Sequence, residues 1–272
     1  MAYAVLGPRG TFSEEAAQIY WGDTAHLCTV SNIPELFALV ESGQVAGGLV
    51  PIDNTMAGSI EPTMDCLASN HIAISGEISI PIQQHLMACR KYQLEEIELL
   101  ISQPAALQQC EEFIRENMPG VRTEIADSTT RAAQLAMLEK RPAAAIANRQ
   151  AAQLYGLQII CPDIAGAGNV TRFIHITQET EKDQGEKCSL IFSLADRPGA
   201  LYETLGVFAR RNINMAKIES RPNRRHPASF WFYVELTMME GRADREEMLR
   251  ELKSYCDSLK YLGSYKAITC DG

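Results

Sequence analysis

The chain has 272 residues, of which 46% are hydrophobic and 22% charged, and its formal net charge is −9. This composition describes a globular protein of about two domains, given roughly 100 to 200 residues per domain. The negative charge argues against nucleic acid or an anionic membrane as a partner, because both attract faces rich in Lys and Arg.

The sequence contains neither an apolar run long enough to span a bilayer nor a basic-then-apolar leader, which predicts a cytoplasmic protein. Eight cysteines are spread along the chain without a Cys-x-x-Cys motif. Small buried thiols in a reducing compartment explain them better than disulfides or a zinc site. The five histidines show no metal-ligand spacing, so no metal is expected.

The chain opens with a predicted strand at 3–6, a glycine-containing turn at 7–13 and a helical pattern that continues to Tyr20. Thr11 or Ser13 can cap this helix, so that its free N–H groups and positive dipole end point at the turn. A strand, loop and helix of this kind can form an anion-binding site. The turn resembles a phosphate loop only loosely, because the Lys-Ser/Thr ending is missing.

A helix is predicted at 31–42 and a strand at 45–52, followed by a polar loop that contains Asp53, Asn54 and Thr55. This loop follows the end of a strand, at the position where α/β sheets bind ligands. Its residues explain a capped turn of the backbone equally well.

The alternation then continues in a similar second half, where Ser128 and Thr129 are good caps for the helix that follows them. The predicted elements are an extended segment at 78–89, a strand at 99–102, a helix at 104–117, a strand at 121–126, a helix at 131–140, a strand at 143–147, a helix at 149–155 and a strand at 157–161. Two similar halves predict two α/β lobes with a cleft between them, an architecture that suits anion receptors as well as enzymes.

The segment 168–176 joins polar residues to an alternating run that is typical of a strand. Asn169, Thr171 and Arg172 can together bind and protonate an anion, and Phe173 begins the alternating run. From these residues alone, a turn that leads into a strand is the favoured interpretation, because a single Thr-Arg pair is common.

A charged linker is predicted at 179–187, and the pattern after it differs. Strands at 189–194, 214–219, 229–239 and 261–268 and helices at 198–212 and 244–258 give the order βαββαβ. That order is the ferredoxin-like arrangement, which commonly serves as a binding module and has a sheet edge able to pair with another copy.

Six motifs, in order along almost the whole chain, resemble those of the prephenate dehydratase family with a C-terminal ACT domain. They are Gly7-Pro-Arg-Gly-Thr-Phe-Ser13, Val50-Pro-Ile-Asp-Asn-Thr55 with Gly58, Ala144-Ala-Ile-Ala147, Asn169-Val-Thr-Arg-Phe173, Gly199-Ala-Leu201 and Glu219-Ser-Arg-Pro222. The resemblance implies a bilobal, periplasmic-binding-protein-like catalytic domain at 1–178 and a ferredoxin-like ACT regulatory domain at 188–272. With the first strand at 3–6, no room is expected for the chorismate mutase domain of fused relatives.

The resemblance also implies the reaction, which converts prephenate to phenylpyruvate with loss of carbon dioxide and water. It makes Thr171 the catalytic residue, and Arg172 is expected to hold a substrate carboxylate through two parallel hydrogen bonds. The further substrate-binding residues expected are Thr11, Ser13, Asn54, Thr55, Ser128, Thr129, Asn169 and Phe173. No cofactor is expected, because the reaction needs neither a redox group nor a carbanion sink.

Regulation is implied by the second domain. The resemblance predicts feedback inhibition by L-phenylalanine and assembly into a homodimer or homotetramer. The predicted regulatory residues are Gly199, Ala200, Leu201, Asn212, Glu219, Ser220, Arg221 and Pro222.

The sequence departs from the family at three places. Asp53 and Thr55 replace the usual Glu and Ser, Gln103 and Ala105 replace the usual His and Gln, and Gly166 lies where Asp or Asn is common. Any acid–base role of that His is therefore in doubt here. Arogenate as the substrate, and a non-catalytic anion or amino-acid sensor, stay open as alternatives.

Overall fold

The computed structural model describes residues 1–166, 168–178, 185–222, 230–237 and 242–270. Its strands form three β-sheets. Two sheets carry helices in mixed α/β lobes, and the third is an antiparallel sheet of ferredoxin-like topology. The predicted fold class of two α/β lobes followed by a ferredoxin-like domain is confirmed.

Strands and helices alternate in the first lobe, but the strands at 27–30 and 58–59 were not predicted, and the extended segment predicted at 78–89 is divided between two strands. The elements of this lobe are β1 (Tyr3–Leu6), α1 (Phe12–Trp21), β2 (Leu27–Val30), α2 (Ile33–Glu41), β3 (Gly47–Asn54), β4 (Gly58–Ser59), α3 (Glu61–Ser69) and β5 (Ala73–Pro81). Thr11 caps α1 and Asn32 caps α2, each through a side-chain oxygen that accepts a backbone N–H.

The second lobe follows, and the chain then returns to the first. The elements are β6 (His85–Ala88), a 3-10 helix (Leu94–Glu96), β7 (Leu99–Ser102), α4 (Pro104–Gln109), α5 (Glu111–Asn117), β8 (Arg122–Ile125), α6 (Thr129–Leu138), β9 (Ala143–Ala147), α7 (Arg149–Tyr155), β10 (Gln158–Cys161) and the returning β11 (Val170–Thr177). The sheet order in the second lobe is β10-β6-β9-β7-β8.

One helix predicted in this lobe is two helices. The sequence predicts a single helix over 104–117, but the helix is interrupted at Cys110. The N–H of Cys110 is shared between the carbonyls of Ala106 and Leu107, a tightening that ends α4 before α5 begins.

The ferredoxin-like domain has the predicted order. Its elements are β12 (Lys187–Ser193), α8 (Ala200–Arg210), β13 (Asn214–Pro222), β14 (Phe230–Thr237), α9 (Arg242–Tyr255) and β15 (Ser258–Tyr265), with the sheet order β13-β14-β12-β15. Residues 179–184 of the predicted linker and 223–227 of the predicted loop lie outside the described residues. Lys187, expected in the linker, is the first residue of β12.

The C-terminal boundary of this domain differs from the prediction. The strand expected at 261–268 is divided, and its end forms β16 (Ala267–Thr269), which pairs with β5 of the first lobe. The N–H of Glu77 donates to the carbonyl of Lys266 at this crossing. The chain therefore leaves the ferredoxin-like sheet and completes the first-lobe sheet, whose order is β16-β5-β11-β3-β1-β2.

The first lobe and the ferredoxin-like domain share a hydrophobic core. Trp231, Tyr233 and Tyr265 pack in one cluster with first-lobe residues such as Phe37 and Ile174. The opposite face of the ferredoxin-like sheet is covered by α8 and α9. Among the described residues, no helix has both the length and the hydropathy needed to cross a membrane.

Candidate active site

The candidate site lies where several strands of the first-lobe sheet end. β1 and β3 are parallel, and β11 runs antiparallel to both β3 and β5. The carboxyl ends of β1, β3 and β5 therefore meet the start of β11 at one edge. This edge is the usual position of ligand sites in α/β sheets.

Asn54 holds the group at this edge together. Its Nδ2 atom donates to the hydroxyl oxygen of Thr171 at 2.9 Å and to Oδ1 of Asn169 at 2.7 Å. Its Oδ1 atom accepts the backbone N–H groups of Met56 and Ala57 at 2.9 and 3.0 Å. Because backbone donors fix the amide oxygen, the amide nitrogen can only face Thr171 and Asn169.

This arrangement leaves two hydrogen-bond donors together. The Thr171 oxygen accepts from Asn54, so the hydroxyl proton points elsewhere. The Nδ2 atom of Asn169 is buried and finds no acceptor among the described residues. A buried donor without an acceptor is costly in a folded protein and calls for an explanation. Oxygen atoms of a bound substrate would satisfy both donors.

Thr55 links the end of β3 to the start of β11 through hydrogen bonds. Its N–H donates to the carbonyl of Val170 at 2.9 Å, and its hydroxyl accepts the N–H of Val170 at 3.0 Å. The same hydroxyl donates to the carbonyl of Gly168 at 2.8 Å. Both functions of the Thr55 hydroxyl are thus used inside the protein, so it shapes the approach to Thr171.

Arg172 lies on the other face of β11, because successive side chains of a strand alternate. Its guanidinium donates to Asp53 at 2.9 Å and to both carboxylate oxygens of Glu235 at 2.8 and 2.5 Å. Glu77 lies 3.7 Å away. The expectation that Arg172 holds a substrate carboxylate finds no support here, since three protein carboxylates occupy its guanidinium.

Phe173 is also placed differently from the prediction. Its ring is 2% exposed and packs in the core beneath α1 with Val5 and Leu49. Phe173 therefore supports the strand through packing, and this geometry gives no support for direct contact with substrate.

The starts of α1 and α6 meet between the lobes. The Thr130 hydroxyl donates to the carbonyl of Gly10 at 3.1 Å, which links α6 to the turn before α1. Ser128 caps α6 by accepting the N–H of Arg131 at 3.0 Å, and Thr129 and Ser13 are both buried nearby in these first turns. The predicted anion-binding helix starts are thus brought to the contact between the lobes.

Thr11 has a local role in this contact. Its hydroxyl donates to the carbonyl of Leu6 at 3.1 Å and accepts the N–H of Glu14 at 3.4 Å. A side chain at position 10 would lie 3.2 Å from Leu154 and 3.3 Å from Thr130, and the φ of 81° there also favours glycine. Gly10 therefore allows the lobes to approach closely.

Sequence reasoning missed the charged cluster behind the site. Lys187 contacts Glu77 at 2.7 Å and Glu235 at 2.8 Å, and Lys217 contacts Asp53 at 3.0 Å. A sequence signal existed, because Glu235 interrupts an otherwise apolar strand, and charged residues are rarely buried unless they are paired.

Electrostatics in this cluster favour the ionised forms. Burial alone would raise the pKa of Glu235, but Arg172 and Lys187 outweigh it and hold this pKa at about 2. Burial likewise acts to lower the pKa of Arg172, and the contacts with Glu235, Glu77 and Asp53 raise it above its ordinary value. Glu235 and Arg172 are therefore both charged over the whole physiological pH range.

The free energy of unfolding is expected to depend on pH through the ionisation of Glu235. Its pKa is lowered from 4.5 to about 2 on folding. Its contribution is therefore fully present above about pH 4.5 and is lost as the pH falls through about 2, a loss on the order of 3 kcal/mol. Urea unfolding at pH 7, 4.5 and 3 should show a smaller acid loss for Glu235→Gln than for the natural chain. Equal losses in both proteins would contradict the assignment.

The predicted regulatory residues do not all come together in one chain. Gly199 has a φ of 82° and precedes α8, so that Ala200 and Leu201 form the first turn of this helix. Asn212 follows the other end of the same helix. With a rise of about 1.5 Å per residue, Asn212 lies roughly 20 Å from Gly199. The structure therefore separates it from the other predicted residues within one chain.

The residues of β13 divide between two faces. Glu219 and Arg221 face the first lobe, where Glu219 contacts Ser59 and Arg221 lies 3.5 Å from Asp65. Ser220 alternates with them and is exposed on the side that carries α8 and α9. Pro222 ends the strand. Closure of Glu219 over a ligand at the start of α8 finds no support, because its carboxylate points to the other face.

The described residues contain no group of three or more His, Cys, Asp or Glu side chains suited to a metal ion. What the fold and the site define is a bilobal α/β protein with a polar candidate site at a strand edge and a ferredoxin-like domain packed against its first lobe.

Comparisons with known proteins identify the family. The family model for prephenate dehydratase matches residues 3–181, and the model for the ACT domain matches residues 189–257. The chain belongs to the prephenate dehydratase family and carries an ACT domain.

Relatives and solved structures match over nearly the whole chain. A prephenate dehydratase of Lactococcus lactis is 35% identical over 97% of each chain. A bifunctional chorismate mutase/prephenate dehydratase of Aquifex aeolicus is 38% identical over 96% of this chain and 72% of the relative. The crystal structure of prephenate dehydratase from Arthrobacter aurescens in complex with L-Phe is 28% identical, with a TM-score of 0.88 over 98% of this chain and 90% of that one.

Proposed function

We propose that this chain converts prephenate to phenylpyruvate, with Thr171 as the proton donor to the departing hydroxyl. The observation that supports this role is the arrangement of Thr171, Asn54 and Asn169 at the strand edge, where two donors face away from the protein's own acceptors. Prephenate carries the oxygen atoms that such donors need.

The reaction balances without an external oxidant or reductant. The bond between the ring and the carboxylate breaks, its electron pair moves through the ring, and the bond to the ring hydroxyl breaks at the far side. One proton joins the departing hydroxyl, which leaves as water, and the ring becomes aromatic. Proton donation of this kind contributes typically about 10² to 10⁴ in rate.

The three residues have distinct tasks in this proposal. The Thr171 hydroxyl donates to the leaving oxygen and takes a proton back from solvent. Asn54 fixes the Thr171 oxygen through its amide nitrogen, and Asn169 offers the second donor to a substrate oxygen. The helix starts at Ser13, Ser128 and Thr129 are proposed to bind substrate carboxylate through backbone N–H groups and the positive ends of the helices.

A direct assay tests this function. The pure protein is incubated with prephenate at neutral pH, and phenylpyruvate is measured by its absorbance against a sample without protein. Arogenate, in which an amino group replaces the keto oxygen, is assayed beside it. Saturable prephenate binding without any product would favour a sensor over an enzyme.

We further propose that L-phenylalanine binds near the start of α8 and inhibits the reaction. The first N–H groups of α8 suit an amino-acid carboxylate, and Gly199 leaves the approach free of a side chain. A homodimer or homotetramer is proposed as the assembly, because β13 is an edge strand of its sheet. The eight free cysteines suit the reducing cytoplasm.

Ser220→Ala is expected to weaken inhibition by L-phenylalanine about tenfold, since a hydrogen bond to a charged group contributes about 1.5 to 3 kcal/mol. Inhibition curves at fixed prephenate measure the change, and the basal rate should stay that of the natural chain. Ser254→Ala, on the outer helix α9 of the same domain, is the matched control. Equal inhibition of both variants and the natural chain would argue against a site at Ser220. Glu219 is a poorer choice for this test, because its carboxylate faces the first lobe and contacts Ser59.

A further inference from the structure

We propose that Glu235 of the ACT domain is a positioning residue for Thr171, acting through Arg172, and that the ACT domain controls the active site by this route. The inference rests on the proposed function. It assigns an active-site role to a residue 64 positions further along the chain, on a strand of another domain.

The register of β3 and β11 provides the first step. Thr171 pairs with Asn54, and on the next rung Arg172 pairs with Asp53. Thr171 and Asn54 face the site, and the next rung projects from the opposite face of the sheet. Each site residue is thus covalently joined to a residue of the charged cluster behind it.

The charged cluster crosses the boundary between the domains. Asp53, Glu77 and Arg172 come from the first lobe. Lys187, Lys217 and Glu235 come from the ACT domain. Three carboxylates face three cations, so the cluster is neutral as a whole. Each of the three cations contacts at least one of these three carboxylates.

Glu235 is the central carboxylate of the cluster. It is fully buried and binds Arg172 through two parallel hydrogen bonds, while Lys187 and the Tyr233 hydroxyl contact it at 2.8 and 2.9 Å. A bidentate contact of this kind fixes the orientation of the guanidinium relative to the carboxylate as well as the distance between them. A buried ion pair by itself adds little net stability, because desolvation offsets the attraction. The main effect of the Glu235–Arg172 pair is therefore to fix the position of the Arg172 side chain.

The ACT domain is attached to the first lobe on both sides of this cluster. Lys187 begins β12 and contacts Glu77 of β5. At the other end, β16 pairs with β5 in a register that sets Ala267 opposite Glu77. A movement of the ACT sheet therefore reaches Glu77 and Arg172 directly, without an intervening loop.

The physical consequence concerns the position of Thr171. A shift of β14 by about 1 Å would carry the Glu235 carboxylate with it, and the Arg172 guanidinium, held by two parallel hydrogen bonds, would be displaced together with its backbone. Misplacement of a reacting group on this scale can cost about 100-fold in rate. An effector that shifts the ACT sheet would change the rate in this way.

Glu235→Gln tests the inference, because the amide keeps the shape and removes the charge. The expected result is a fall in kcat of about 10- to 100-fold with KM changed less than about threefold, and with the folded structure retained by circular dichroism. Glu235→Asp, which keeps the charge at shorter reach, should recover part of the rate. Glu251→Gln is the matched control, since this ACT carboxylate also contacts two arginines but, among the residues that the structure describes, none of the first lobe.

A second readout does not depend on turnover. Hydrogen–deuterium exchange of peptides covering 50–57 and 168–176 should be faster in Glu235→Gln than in the natural chain, and unchanged in Glu251→Gln. In a Thr171→Val background, Glu235→Gln should have little further effect on kcat, because both changes act through one hydroxyl.

The outcomes separate the two proposals. If the natural chain does not convert prephenate but exchange at 168–176 rises in Glu235→Gln, the proposed function fails and the positioning contact stands. If the natural chain is active while Glu235→Gln keeps kcat within about twofold and the exchange is unchanged, the inference is overturned.

Discussion

Thr171→Val is expected to lower kcat for prephenate by about 10² to 10⁴. Valine keeps the branched shape of threonine on β11 and replaces only the hydroxyl with a methyl group, so the strand should persist. The amide of Asn54 would retain its contact with Asn169 and lose the one with residue 171. Steady-state rates measure the loss, and calorimetry with prephenate should show binding largely intact.

Thr177→Val gives a matched control on the same strand. Thr177 is buried to a similar degree as Thr171, and its hydroxyl lies 2.6 Å from that of Ser75. It is six residues from Thr171, about 20 Å along a strand. The control should keep nearly natural turnover, and Thr171→Ser should keep a measurable part of it. Turnover near that of the natural chain in Thr171→Val would remove this hydroxyl from the mechanism.

The local part of the site could be predicted from sequence. The polar loop after a strand placed Asn54, and the strand start placed Asn169 and Thr171, because strand ends carry ligand sites in α/β sheets. Their mutual hydrogen bonds follow from the antiparallel pairing of β3 with β11, which the sequence could not show. The helix starts at Thr11 and Ser128 could also be predicted, because a helix cap depends on only three or four neighbouring residues.

The long-range part could not be predicted. Arg172 was expected to bind substrate because guanidinium groups bind carboxylates well, yet its partners are Asp53, Glu77 and Glu235, which are distant in sequence. Alternation along a strand puts Arg172 on the face opposite Thr171. Motif reasoning treated the two as one group, because it does not account for the face of the sheet.

A second limit concerns the end of the chain. The sequence predicted one last strand at 261–268 that stays in the ACT sheet, in keeping with the order βαββαβ. The chain instead crosses at Lys266 and pairs with β5. An edge strand with free backbone groups accepts any extended segment that reaches it, so pairing is decided by the tertiary structure. The crossing also explains why the ACT domain and the first lobe share one core.

Arg172→Met is expected to lower the free energy of unfolding by about 3 to 5 kcal/mol. Methionine fills much of the same space, but within the described part of the chain Glu235 then keeps Lys187 as its one cationic partner, and Asp53 keeps Lys217. Removing one member of a buried cluster leaves carboxylates that are shielded from water and only partly paired, which costs more than the pair contributed. The free energy of unfolding of Arg172→Lys should lie between those of Arg172→Met and the natural chain, because lysine keeps the charge but cannot form the bidentate contact with Glu235.

Urea unfolding followed by tryptophan fluorescence measures the change in both domains. Trp21 lies in the first lobe and Trp231 at the boundary with the ACT domain, and they are the two tryptophans of the chain. The loss should appear first at Trp231, because the broken cluster lies at that boundary. Arg210→Met, which removes an exposed arginine paired with Glu251, should leave the unfolding curve unchanged. If Arg172→Met unfolds at the same urea concentration as this control, the buried cluster does not hold the domains together.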